Sequence, residues 1–231
     1  MRNSTFLLAA IALAGCTAGT PSSYPATTEA RLAVFAQATP CCDDPSGFRY
    51  TALPPRGILE TDVGSASQVF DFHSGKSPFV AFELPKQTSP YRVRIKSEFK
   101  GKNGDVDAIF YPVVALLDDT FIVTHMTGLD NLRLEPALAT PGGEAGLSVS
   151  LAIDPVEQQG KYLVVFTPAV LLGEPPDLRR EGDMLTPPTL AWLERRGESL
   201  ISPSPYGHLH ITIVPEQPAG GATAAAHSRS N

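Results

Sequence analysis

Three cysteines, no dense Lys/Arg run and no long apolar run narrow the reading of this chain before any motif is named. Without a basic run, and with 18 basic against 24 acidic residues, the chain lacks the electrostatic footprint of a nucleic-acid binder. The apolar stretch Phe6 to Leu13 falls well short of the roughly 20 residues a membrane-spanning helix needs. No G-x-S-x-G elbow and no H-E-x-x-H motif is present, so neither local hydrolase signature supports catalysis. Gly75-Lys76-Ser77 resembles the end of a phosphate loop, but the position that must be glycine is Phe70, and a strand follows where a helix is required. No cofactor is expected.

Proline, by contrast, is abundant: 22 among 231 residues, which favours edges, turns and extended connections over long helices. The length fits one all-β domain.

The N-terminus carries an address. Arg2 supplies a positive start, Phe6 to Leu13 an apolar core, and Leu13-Ala14-Gly15-Cys16 a small-residue ending with cysteine at the cleavage point. This is the lipobox of bacterial lipoproteins, so residues 1–15 read as a signal peptide and Cys16 as the lipidated N-terminus. The bland alternatives are an ordinary signal peptide that happens to hold a cysteine, or a short membrane helix, for which the apolar run is too short to span comfortably. Each buried acyl CH₂ contributes about 0.8 kcal/mol, so several chains suffice as an anchor. Removal of residues 1–15 leaves 17 basic and 24 acidic residues, a net charge of −7. Thr17 stands where aspartate would signal inner-membrane retention, which places the expected protein in the periplasm, on the inner leaflet of the outer membrane. Residues 16–27, small and polar, read as a tether.

From Val69 to Met126 the chain reads as successive strands. Tyr91, Val93 and Ile95 alternate with Arg92, Arg94 and Lys96, predicting one wet face. Phe79 to Phe82 and Tyr111 to Leu117 are apolar on both faces, predicting central strands between layers. Asp118-Asp119-Thr120 predicts a turn. Leu147 to Ile153 and Lys161 to Thr167 read as a hairpin, and His208 to Val214 as the final strand. Thr28 to Ala38 predicts a short helix with Leu32 and Phe35 on one face, and Thr186-Pro187 opens a second that carries Trp192. The predicted architecture is one antiparallel β-sandwich of jelly-roll type over residues 28–214, with one or two short helices and a disordered tail over 215–231.

Candidate sites are few. With Cys16 lipidated, Cys41 and Cys42 remain as an adjacent pair in an oxidising compartment. They can bond to each other, stay as buried thiols, or bond to a second molecule; neighbouring Cα atoms lie about 3.8 Å apart, close for a disulfide. His208 and His210 share one strand face and are weak metal candidates, since no further ligands are linked to them in sequence. Asp118-Asp119 and Asp105-Val106-Asp107 offer carboxylate pairs, but both sit where turns are expected, and turn use is the stronger reading. Tyr91, Tyr111, Tyr162, Trp192 and Tyr206 are candidates for stacking on sugar rings, Trp192 and Tyr206 foremost; core packing is the alternative for each.

The lipobox, Cys41-Cys42, VFDFHSGKSPFVAFELP, YRVRIKSEF, IFYPVVALLDDTF, KYLVVFT and SPYGHLHITIV, in this order, resemble the maltose-operon periplasmic protein family, the MalM type. The likeness covers Ala38 to Val214 and rests on strand phrases. It implies an envelope protein linked to maltose and maltodextrin uptake, with no catalytic residues to carry over. Some members are soluble in the periplasm, and the lipobox here departs from those. The expected function is a non-catalytic accessory role in carbohydrate uptake or envelope organisation, through a sugar-uptake or envelope protein partner. The rival readings are a carbohydrate-binding module and an envelope glycan hydrolase.

Overall fold

A strand that alternates apolar and polar residues has one face to bury, and two such sheets bury theirs against each other. The computed structural model describes residues 27–99, 108–136, 144–156, 160–172 and 201–216. These form helix α1 (Thr28–Ala36) and strands β1 (Tyr50–Ala52), β2 (Gly57–Val63), β3 (Gln68–Phe72), β4 (Gly75–Glu83), β5 (Tyr91–Glu98) and β6 (Ala108–Ile109). Then come β7 (Val113–Leu117), β8 (Val123–Met126), β9 (Arg133–Glu135), β10 (Gly146–Ile153), β11 (Tyr162–Phe166), β12 (Ser202–Pro203) and β13 (Gly207–Pro215). Short 3-10 turns lie at Pro45–Gly47, Leu129–Asn131 and Ala169–Leu171.

One sheet runs β1-β4-β11-β7-β8 with β3 beside β4; the other runs β2-β13-β5-β10-β9. β6 and β12 make a small parallel pair. Eight strands are nested antiparallel partners: β2 with β13, β4 with β11, β5 with β10, and β7 with β8. First pairs with last and each inner pair sits inside the one before, which is jelly-roll pairing, as the sequence predicts.

The interior follows from the registers. Val93, Ile95, Leu209 and Ile211 of the five-stranded sheet face Val114, Leu163 and Val165 of the six-stranded one, all without solvent exposure. Glu60, Asp62, His208, His210 and Lys96 lie on the opposite, outer face of the five-stranded sheet.

Two expectations are corrected. The stretches 147–153 and 161–167 are strands but not a hairpin, because β10 belongs to the five-stranded sheet and β11 to the six-stranded one. β11 is apolar on both faces and takes a place covered on both sides, whereas β10 turns Ser150 and Ala152 outward. Arg92 is exposed as predicted, but Lys96 is only 3 % exposed. It stands in a crowded row across five strands, with Glu60, His210, Ser148 and Arg133 in register.

Helix α1 begins at Thr28 as predicted and ends two residues sooner, at Ala36; the Thr27 hydroxyl caps it by accepting from the Ala30 N–H at 3.2 Å. The second predicted helix, Trp192, Asp105 to Asp107, Cys16 and the tail beyond 216 lie outside the described residues.

Candidate functional site

The outer face of the six-stranded sheet is also apolar, and that sets the site. Along β3, Phe70 and Phe72 share a face by strand alternation, and cross-strand pairing continues it through β4. The same face carries Val164 and Phe166 of β11 and Val113, Ala115 and Leu117 of β7. Phe72 and Phe166 stack with centroids 4.1 Å apart and planes 9° from parallel. Phe48 packs edge-on against Phe70 at 4.9 Å.

Over these side chains lies a cleft of about 660 Å³, a size that takes a small ligand or a few side chains of a partner. Phe48 and Pro45 form one wall, the turn Gly128-Leu129-Asp130 another, and Val123 and Met126 stand at the lip, each about half exposed. The polar side chains on its lining are His73, Ser74, Thr127 and Asp130. Thr127 is already occupied: its hydroxyl accepts from the Val114 N–H at 2.9 Å.

The wall bearing Phe48 is fastened to β3. Gln68 accepts from the Arg49 N–H at 2.8 Å and donates to the Arg49 carbonyl at 3.2 Å, and the Cys41 N–H donates to Val69 at 2.8 Å. Cys41 and Cys42 are joined as a disulfide between neighbours, Cα atoms 3.7 Å apart, at the start of this wall. With Phe70 they line a second hollow just outside the cleft.

Beside the cleft, Tyr50, Phe121 and Tyr162 form a half-buried aromatic group, with Phe121 and Tyr162 stacked at 4.9 Å. The Tyr50 hydroxyl donates to the Pro45 carbonyl at 2.9 Å. Its pKa is raised by burial first, then by the nearby Tyr162 and Asp44. Phe121 has φ of 64°, left-handed for a bulky residue, and the Asp118 carboxylate holds the turn there by accepting from the Thr120 and Ile122 N–H groups at 2.8 and 2.9 Å. The Thr120 hydroxyl, which donates to the same carboxylate at 2.8 Å, and then these backbone bonds lower the Asp118 pKa.

The other sequence candidates fall elsewhere. Tyr206 is corrected as a stacking residue: it is 2 % exposed and packs with Phe35, Val69 and Leu172 under α1, so it presents no ring face. Tyr91 and Tyr111 are buried too; burial pushes both phenols up to about 12, and the Tyr111 hydroxyl donates to the Ile201 carbonyl at 2.9 Å. Gly75-Lys76-Ser77 are the first three residues of β4, just after the turn at His73-Ser74. His208 and His210 sit on the far sheet, beside Glu60, Asp62 and Glu98. The cleft phenylalanines were overlooked as site residues, although Phe70-x-Phe72 on a strand carried the signal.

The fold is thus a jelly-roll sandwich with an apolar cleft on one outer face. A family model described as maltose operon periplasmic protein precursor (MalM) matches residues 74–175, from the turn before β4 to just beyond the last 3-10 turn. Over that stretch the chain is similar to the maltose-operon periplasmic protein family, which supports a periplasmic location. No curated protein matches the chain.

Proposed function

We propose that the protein is a non-catalytic accessory component of maltose and maltodextrin uptake. It is anchored through Cys16 to the inner leaflet of the outer membrane and engages an apolar segment of a protein partner in the cleft. The carrying observation is the cleft lining. Its floor is phenylalanine, valine and leucine, and few side chains there have hydrogen-bonding capacity to spare. Sugar hydroxyls buried on such a floor would lose water without replacement, a cost of about 1–3 kcal/mol each, whereas apolar side chains gain from the same burial. The exposed apolar residues Ile122, Val123 and Met126 extend the surface along β8, the strand at the sheet edge.

One observation favours the sugar-binding rival: the rings of Phe70 and Phe72 are half-buried, not sealed. Two measurements separate the readings. Uptake of labelled maltoheptaose should fall in cells lacking the gene, and Met126→Glu or Val123→Glu, on side chains exposed enough to spare the fold, should reproduce the fall. Titration calorimetry of the full chain in detergent with maltoheptaose should show only weak heat. Uptake indifferent to the deletion would refute the accessory role. Tight binding lost in Phe72→Ala would promote the sugar module, and steady glucose or maltose release would make the protein a hydrolase.

A further inference from the structure

We propose that Glu60, His208 and His210 form a site for a divalent transition metal, zinc foremost, which clips β2 to β13. Strand alternation puts both histidines on the outer face of β13, and pairing with β2 sets Glu60 directly across from His210. The imidazole rings lie 4.9 Å apart and nearly perpendicular, at 78°. Glu60 Oε2 is 3.9 Å from His208 Nε2, and Glu60 Oε1 is 3.7 Å from His210 Nδ1. One ligand atom from each residue fits within 4.8 Å of the others. Tetrahedral zinc ligands stand roughly 3.3 Å apart, so the set must contract modestly. The Glu60 side chain, 62 % exposed, has room to do so.

The outer nitrogens make the case. His208 Nδ1 lies 2.7 Å from Asp62, and His210 Nε2 lies 3.0 Å from Glu98. A carboxylate accepts a proton-bearing nitrogen, so each histidine is held with its N–H turned away from Glu60. A carboxylate behind each imidazole is the usual support of a histidine that ligates metal, fixing the tautomer and raising its basicity. Two lone pairs then converge on the Glu60 carboxylate, an arrangement that calls for a cation between them. Lys96, paired with His210 across β5, does not serve: its buried Nζ makes no hydrogen bond. Imidazole with one carboxylate suits zinc, and also copper or nickel, and leaves a coordination position for water.

The site is independent of the cleft, on the other sheet and outside the stretch matched by the family. Zinc titrated into the full chain in detergent, after treatment with a chelator, should bind at one equivalent and raise the melting temperature. Cobalt(II) in its place should give the visible absorption of a low-symmetry nitrogen–oxygen site. Glu60→Gln should weaken zinc binding about tenfold or more, His210→Ala further, and Asp62→Asn about tenfold through the supporting hydrogen bond. Zinc affinity unchanged in both Glu60→Gln and His210→Ala would place the ion elsewhere and overturn the assignment. So would absent saturable binding, with nitrogen NMR showing both imidazoles doubly protonated at neutral pH.

Discussion

The Lys76 ammonium, at the start of β4, donates to the Ala36 carbonyl at 2.9 Å and so closes the C-terminus of α1. It donates again to Ala38 at 3.0 Å and lies 5.0 Å from the centre of the Phe35 ring. A cation belongs at this end of a helix, where unpaired carbonyls gather negative charge, and α1 has no basic residue of its own in its last turn. Lys76→Met keeps the stem and removes the charge. It should cost about 1–2 kcal/mol and let proteases cut near residues 37–40 before the sandwich unfolds. Equal melting temperatures and digestion patterns would show that the contact holds nothing.

Gly75 precedes that lysine with φ of 102°, where an L side chain is strained, and a Cβ there would meet the Ala169 Cβ at 2.9 Å. Gly75→Ala should therefore destabilise by about 1–3 kcal/mol, measured by urea unfolding. Pairing it with Ala169→Gly removes the collision and leaves the backbone strain. The double variant should recover part of the loss, and full recovery would assign the whole effect to the collision.

Tyr111 gives a pH dependence. Burial raises its pKa from the ordinary 10 to about 12, so the fold favours the neutral phenol. Its contribution is fully present below pH 10 and is lost as pH rises through about 12, a total of roughly 2–3 kcal/mol. Tyr111→Phe gives up the hydrogen bond to Ile201, about 1 kcal/mol at neutral pH, and should make the alkaline decline shallower, Tyr91 keeping its own share. An equally steep decline in the variant would show that another group governs it.

Cys16→Ser should leave the precursor unprocessed or release the protein from membranes, because its sulfur and freed amine are the proposed attachment points for lipid. Fractionation followed by mass spectrometry of the N-terminus decides this. Processed, membrane-bound protein in the variant would exclude lipid attachment at this residue.

How legible was this molecule in its sequence? Strands announced themselves wherever packing is local to one segment: Tyr91, Val93 and Ile95 point inward because alternation alone dictates it. Pairing between distant segments was harder. Nothing in residues 147–167 says that β10 and β11 lie in different sheets, since a turn through Asp154-Pro155 serves a hairpin and a crossing equally. Glu60 joins His208 and His210 only because β2 lies beside β13, and no spacing rule reports on so remote a neighbour. Tyr206, read as a candidate for stacking on sugar, is buried by α1, whose docking site no periodicity encodes. The cleft was not read from the sequence: Phe70-x-Phe72 supplies only part of its floor, and its walls come from Pro45 to Phe48 and Gly128 to Asp130, far apart in the chain.

β13 is the last strand among the described residues and lies between β2 and β5, not at a border. Until residues 207–215 arrive, the five-stranded sheet is two fragments with a gap, and Leu209 and Ile211 are missing from the interior. The final strand is thus a keystone, and pairing it with β2 closes the longest loop in the sandwich. Long-range pairing of this kind folds slowly, in roughly milliseconds to seconds. If the chain is exported as proposed above, this order leaves its segments free to be threaded across a membrane while the sandwich still lacks the piece that locks it.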